Sequence, residues 1–261
     1  MKIFFDHIAG NITSRELVYS PATAIFEKNE YEYAVENGWH IAESWGVDNF
    51  DWFNDVKAMG GKVWYQARST RIDTDKFSER SRHRKRIRRA GLEVKTLNSE
   101  SIDRTRLWQV YQSYINKKGF SDFYSDKEDL FTPVYGTRSY ITYTKDSKLI
   151  AFSILEEVGS NSQIALQFAW DYEDPDLGVG YINKLYQFRL MKDRNRRFMY
   201  LGNSYEKPSL GKSEYAGFEW WDGRKWSGDV ELFRFLLKKE SSISTLEELY
   251  ELQREYYSRW S

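Results

Sequence analysis

The chain has 261 residues, 39 basic and 39 acidic side chains, and no cysteine, which excludes disulfides, thiolate metal sites and a cysteine nucleophile. His7, His40 and His83 are too scattered to suggest a metal site, while 17 % aromatic residues and only four prolines provide enough apolar surface to offset the entropy lost on ordering. Neither a signal-peptide core nor an apolar run of membrane-spanning length occurs, so a cytoplasmic protein without membrane contact is expected.

Residues 27–41 read as a helix stopped near Gly38, residues 49–61 as a second helix ended by paired glycines, and residues 62–67 as a strand. The run ERSRHRKRIRRAG, residues 79–91, then concentrates seven Arg and Lys side chains in a neutral chain. If it is helical, Arg82, Lys85, Arg86 and Arg89 share one side, with Arg84 and Arg88 on another, and Ile87 is its clear apolar position. An ordinary solvated helix mixes signs to limit repulsion, whereas one-signed density suits a polyanion. Residues 92–97 alternate like a strand. Residues 99–118 place Ile102, Trp108, Tyr111 and Ile115 at helical spacing before Gly119.

Residues 138–145, 149–158 and 163–172 read as an antiparallel meander with turns at Asp146, Ser147 and at 159–162. EDPDLGVG opens a helix over 181–194, and a strand follows at 197–202. The tail 244–260 carries a capping box from Ser244 to Glu247 and a stripe of Leu246, Leu249, Gln253, Tyr257 and Trp260. Three strands, a glycine-containing turn, a helix and another strand is the order of the GNAT acyltransferase core. The expected fold is α+β, with a mixed, largely antiparallel sheet and an N-terminal α/β part, divided into residues 1–95 and 96–261.

RSRHRKRIRRA, FAWDYEDPDLG, YLGNSY and KSEYAGFEWW occur in an order and spacing that resemble the arginyl- and leucyl-tRNA–protein transferases, over roughly residues 70 to 227. That family moves an amino acid from tRNA onto the N-terminus of a protein. Its N-terminal cysteines are absent here, and residues are inserted or shifted between the Tyr200 motif and Lys212. The resemblance implies an aminoacyltransferase with aminoacyl-tRNA as co-substrate, no separate cofactor, and a protein or peptide amine as acceptor. It also favours tRNA binding by Arg82, Arg84, Lys85, Arg86, Arg88 and Arg89, with Lys212 as a further phosphate contact.

Trp170, Tyr172, Tyr200, Gly202, Tyr205 and Tyr215 are candidates for the aminoacyl and 3′-end pocket, through stacking on aromatic faces, or are packed interior. Gln167, Ala169 and Asp171 share one strand face and Phe168, Trp170 and Tyr172 the other, so Gln167 and Asp171 either line a cleft or sit on a wet sheet face. Gln167, Asp171 and Asp174 are the candidates for positioning or deprotonating the acceptor amine. Coenzyme A-dependent acyl transfer is the first alternative. It is disfavoured by Pro175, where those enzymes carry Arg or Gln, and by Glu173, Asp174 and Asp176, whose charge should repel a pyrophosphate. A non-catalytic tRNA-binding protein is the second.

Overall fold

Alternating apolar side chains set the strands of this chain, and left-handed glycines close several of its helices. A computed structural model describes residues 2–5, 11–13, 16–18, 22–41, 62–66, 68–119, 126–133, 135–171, 173–204, 207–240, 247, 248 and 251. In chain order the elements are β1 (Lys2–Phe5), β2 (Asn11–Thr13), β3 (Glu16–Val18), β4 (Ala22–Phe26), α1 (Tyr31–Glu36), β5 (Trp39–Ile41), β6 (Lys62–Gln66), β7 (Ser69–Asp73), α2 (Ser81–Ala90) and β8 (Glu93–Asn98). They continue as α3 (Arg104–Lys118), α4 (Lys127–Phe131), β9 (Arg138–Lys145), β10 (Lys148–Val158), β11 (Ser162–Trp170), α5 (Val179–Asp193), β12 (Phe198–Asn203), β13 (Phe218–Trp221), β14 (Trp226–Ser227) and α6 (Val230–Glu240).

The chain divides into one unit of residues 71–202 and another of residues 1–70 with 203–261. This corrects the expected boundary at residue 95. β8 pairs with β9 from Glu93↔Thr144 to Asn98↔Ser139, so the basic stretch and the strand after it are built into the unit that holds the meander.

In residues 71–202 the strands lie in the order β7-β12-β11-β10-β9-β8, with β8, β9, β10 and β11 antiparallel. The turn at Asp146 and Ser147 has positive φ at both residues, the geometry that matches strand twist in a tight hairpin. β12 runs parallel to β11, from Ser162↔Phe198 to Ile164↔Tyr200, and the pairing ends there while β11 continues to Trp170. The two strands therefore open into a seam. On one face of the sheet, Leu107, Tyr111 and Ile115 of α3 bury against Tyr140, Phe152, Ile154 and Ala169, each such side chain contributing about 1.5–3 kcal/mol. This helix starts later than expected: the Asp103 carboxylate accepts from Arg106 N at 3.0 Å and caps it, leaving Ile102 outside. α5 covers the other face, where Asn183 Oδ1 accepts from Tyr143 Oη and from Ser153 Oγ, both at 2.7 Å, and Gln187 Nε2 donates to Ser153 Oγ at 3.2 Å.

In the other unit, β1-β4-β6-β5 form an antiparallel sheet, beneath which Phe26 meets Trp39 and Trp64 edge-on at 5.2 and 5.5 Å. Trp220 and Trp221 are buried, and Phe218 and Trp220 pack on Phe233 of α6. The helix expected over 49–61, and that over 244–260 apart from residues 247, 248 and 251, lie outside the described residues. No helix among the described residues is long and apolar enough to cross a membrane.

Candidate functional site

The basic run is the ten-residue helix α2, free of Gly and Pro inside and ended by Gly91 at φ +61°. Six cations, with Arg80 at the N-cap, can sit on so short a helix because its buried side is supplied by His83 and Ala90 rather than by Ile87. The His83 ring stacks on Phe77 and meets Tyr181 edge-on at 5.9 Å. Its Nδ1 accepts from Arg80 N at 3.2 Å, which fixes a neutral ring with the proton on Nε2. Burial first, then the flanking Arg82 and Arg80, lower its pKa, so this histidine acts as an apolar plug.

Arg82, Lys85, Arg86 and Arg89 line a pocket of about 440 Å³, completed by Ala90, Asp176 and Leu177. The Arg86 guanidinium lies 4.7 Å from the centre of the Tyr181 ring and directly over Gly178. Gly178 has φ +64°, which disfavours a side chain, and a methyl group there would push the Arg86 guanidinium aside. Gly178 also precedes α5 without a side-chain cap, and Arg86 thus faces the positive end of a helix dipole. Four cations converge with one lining carboxylate, Asp176, and the arrangement is relieved by an anion. Arg84 instead turns back to donate to Glu79 O at 3.2 Å, and Arg88 is exposed away from the pocket.

The acidic turn does not behave as its composition suggests. Asp171 pairs with Lys117 and Lys148 at 3.1 Å each, Glu173 with Lys148 at 2.7 Å, and Asp174 with Lys145 at 3.6 Å. These lysines offset much of the charge of Asp171, Glu173 and Asp174, so the turn is less negative than its composition suggests, while Asp176 keeps its charge at the pocket. Burial raises the Asp171 pKa, but hydrogen bonds and charge from Lys148 and Lys117 outweigh it and hold the carboxyl below the usual carboxylate range. A carboxylate so held is a weak proton acceptor near neutral pH. Gln167 donates Nε2–H to Phe168 O at 2.9 Å. Gln167 and Asp171 share their strand face with Ala169, which packs on α3, the face opposite α5. Neither faces the cation-lined pocket.

The aromatic candidates separate likewise. Tyr200 is 2 % exposed and Tyr215 7 %, so their rings are interior and present no face for a base to stack on. Trp170 is half-buried at the end of β11, and Gly202, at φ +79°, lies near the end of β12. Tyr172 and Tyr205 lie outside the described residues. Lys212 belongs to the unit of residues 1–70 and 203–261, where Nζ donates to Asn203 O at 2.7 Å and Ser204 Oγ at 2.9 Å. In the same unit the Ser69 hydroxyl donates to Gly38 O at 2.9 Å, so His40 Nε2–H must be the donor to Ser69 Oγ at 2.5 Å. Burial, and then the charge of Lys212, push the His40 pKa down to about 3. Sequence reasoning missed this neutral histidine and also Lys184 on α5; Lys184 carried no signal beyond its place on a helix next to the acidic turn.

The fold is α+β with a GNAT-like core, an antiparallel meander followed by a helix and a parallel strand that splays from its neighbour. No family model matches the chain, and no curated protein matches it. The likeness to the tRNA–protein transferases therefore rests on its ordered motifs. Among solved structures, the chain is similar to the C-terminal domain assigned to a lysylphosphatidylglycerol synthetase of Agrobacterium fabrum, with a TM-score of 0.45 and 13 % identity over 53 % of this chain and 47 % of that one. L-PGS from Bacillus licheniformis gives 0.43 and 15 % over 52 % and 44 %. FemX gives 0.41 and 11 % over 60 % and 61 %. In each case the match spans less than two thirds of the other structure's length.

Proposed function

We propose that this chain is an aminoacyl-tRNA-dependent aminoacyltransferase that passes an amino acid to the amine of a protein or peptide. One observation carries the reading: the convergence of Arg82, Lys85, Arg86 and Arg89 on a single pocket at the start of α5, beside the open end of the β11–β12 seam. The cations continue past the pocket onto Arg84 and Arg88, which suits a ligand longer than one phosphate group. Single-stranded nucleic acid is such a ligand.

The chemistry asks little of the protein. An aminoacyl ester is already activated, and a terminal amine with a pKa of about 7.7–8.0 is roughly one-tenth neutral near pH 7. Holding that amine against the ester carbonyl lowers the barrier by about 7 kcal/mol in favourable intramolecular cases. Peptide N–H groups of β11 freed beyond Ile164 are suited to receive the developing oxyanion.

Coenzyme A-dependent acyl transfer is the second reading, and the lysine pairs of the turn, with Arg86 over Gly178, favour it. Binding distinguishes the two. Fluorescence anisotropy with labelled tRNA should give log K falling with log salt at a slope of about −3 or steeper, four phosphate contacts contributing about −0.7 each. Arg82→Ala with Arg86→Ala should flatten that slope by about 1 to 2. An unchanged slope, or tight calorimetric binding of coenzyme A with no binding of tRNA, would overturn the first reading.

A further inference from the structure

We propose that Lys184 is the proton acceptor of this reaction, its amine held beneath the open seam between β11 and β12. The role rests on the aminoacyl-transfer reading, and names a group that neither composition nor motif singled out.

The position follows from how α5 meets the sheet. Asn183 touches Tyr143 of β9 and Ser153 of β10, Gln187 touches Ser153, and Gly180 faces Phe168 of β11. On the other flank, Phe188 packs on Phe77, which follows β7, and Tyr181 packs on His83 of α2. At about 100° per residue, Lys184 projects between the direction of Gly180 and that of Phe188. The strands lie in the order β10, β11, β12, β7, so this direction passes β11 toward β12. Lys184 is one turn beyond Gly180, running back along β11 from Phe168 toward Ile164, the last residue paired to β12. It therefore sits where the two strands part and leave backbone groups free to hold an ester.

Lys184 is half-buried, and it makes no hydrogen bond or ion pair among the described residues. The titratable groups packed against α5 are Tyr143 from β9, His83 and Arg86 from α2, and Glu79, which is committed to Arg189. The helix itself adds Tyr181, Tyr186, Arg189, Lys192 and Asp193. Burial alone brings the Lys184 pKa down to about 8, close to that of a terminal amine, so proton exchange between the two is nearly balanced.

In the step, neutral Lys184 Nζ takes one proton from the acceptor ammonium, and the freed amine attacks the ester carbonyl carbon. As the C–N bond forms, the bond between that carbon and the ribose oxygen breaks, and a second proton from the nitrogen passes to the leaving ribose oxygen. The proton on Lys184 returns to solvent. Amide, free hydroxyl and one released proton balance the equation.

Two measurements decide the matter. Trace acylation of the intact protein across pH, read by mass spectrometry, should give Lys184 a midpoint near 8; a midpoint for Lys184 at the ordinary lysine value overturns the proposal. In the transfer assay, Lys184→Met should lower kcat by about 100-fold or more and leave KM for aminoacyl-tRNA unchanged. Lys184→Arg keeps the charge but cannot yield the proton, and should fail equally; full activity in that variant overturns the role of base. Both variants should retain the wild-type circular dichroism spectrum and tRNA affinity. A wild type that binds tRNA but transfers nothing overturns the reaction and this role together, whereas a Lys184→Met variant with wild-type kcat overturns this role alone.

Discussion

Arg86 is held by two contacts of opposite electrostatic sense: the face of Tyr181 attracts its guanidinium, while the positive end of α5 repels it. Gly178 permits the arrangement, and Gly178→Ala should both strain the backbone at positive φ and displace Arg86. Urea denaturation should find about 1 kcal/mol less stability, and tRNA affinity should fall with it. A second expectation concerns Asp171. Its two lysine pairs are partly exposed, so Asp171→Asn should cost less than about 1 kcal/mol per pair and change kcat only a few-fold, measured by chemical denaturation and steady-state transfer. Arg138 and Glu156 are different, being 3 % and 0 % exposed, with Glu156 also accepting from Tyr135 N and Gly136 N. Arg138→Met strands a buried carboxylate and should destabilise the protein by about 3–5 kcal/mol. At this scale the sequence disclosed the cations of α2 but not which partner each side chain takes. Asp171 reads as a candidate base until Lys117 and Lys148, far away in sequence, are brought to it by the fold.

α2 shows how one helix splits a charge run into two surfaces. Its pocket side carries Arg82, Lys85, Arg86 and Arg89, and its outer side Arg84 and Arg88. Changing Arg82 and Arg86 to Glu should therefore weaken tRNA binding more than changing Arg84 and Arg88 to Glu, compared by anisotropy at one salt concentration; equal losses would mean that charge acts without the pocket. The helical grouping of these residues is legible from a period of 3.6, and the meander from period 2, because both depend on local geometry. β7 and α6 escaped notice. β7 is short and half polar, and α6 mixes Phe233, Leu236 and Leu237 with exposed Arg234 and Phe235, so neither stands out before its packing partners are known. The splay of β12 from β11 is equally silent in sequence, since strand pairing is a long-range choice.

Taken whole, the chain has no net charge, so its attraction for a polyanion arises from uneven distribution rather than excess. Its two units were not legible because the second is assembled from both ends of the chain, residues 1–70 and 203–261, and no linker marks the joins. That unit should be acid-sensitive. The folded state resists protonation of His40 until about pH 3, while the unfolded chain takes up that proton at its ordinary value of 6.5, so stability is full above 6.5 and falls as pH drops toward 3. Denaturation at pH 5 and pH 7 should differ by up to about 1.4 kcal/mol per pH unit from this group, and His40→Gln should flatten the difference. The central claim is aminoacyl transfer, and it is tested most directly by incubating the protein with a pool of charged tRNAs and a peptide library and weighing the products. The account predicts peptides heavier by one amino-acid residue, lost when Arg82, Lys85, Arg86 and Arg89 are changed to Glu. Peptides of unchanged mass with wild-type protein, or additions that persist in that quadruple variant, would contradict it.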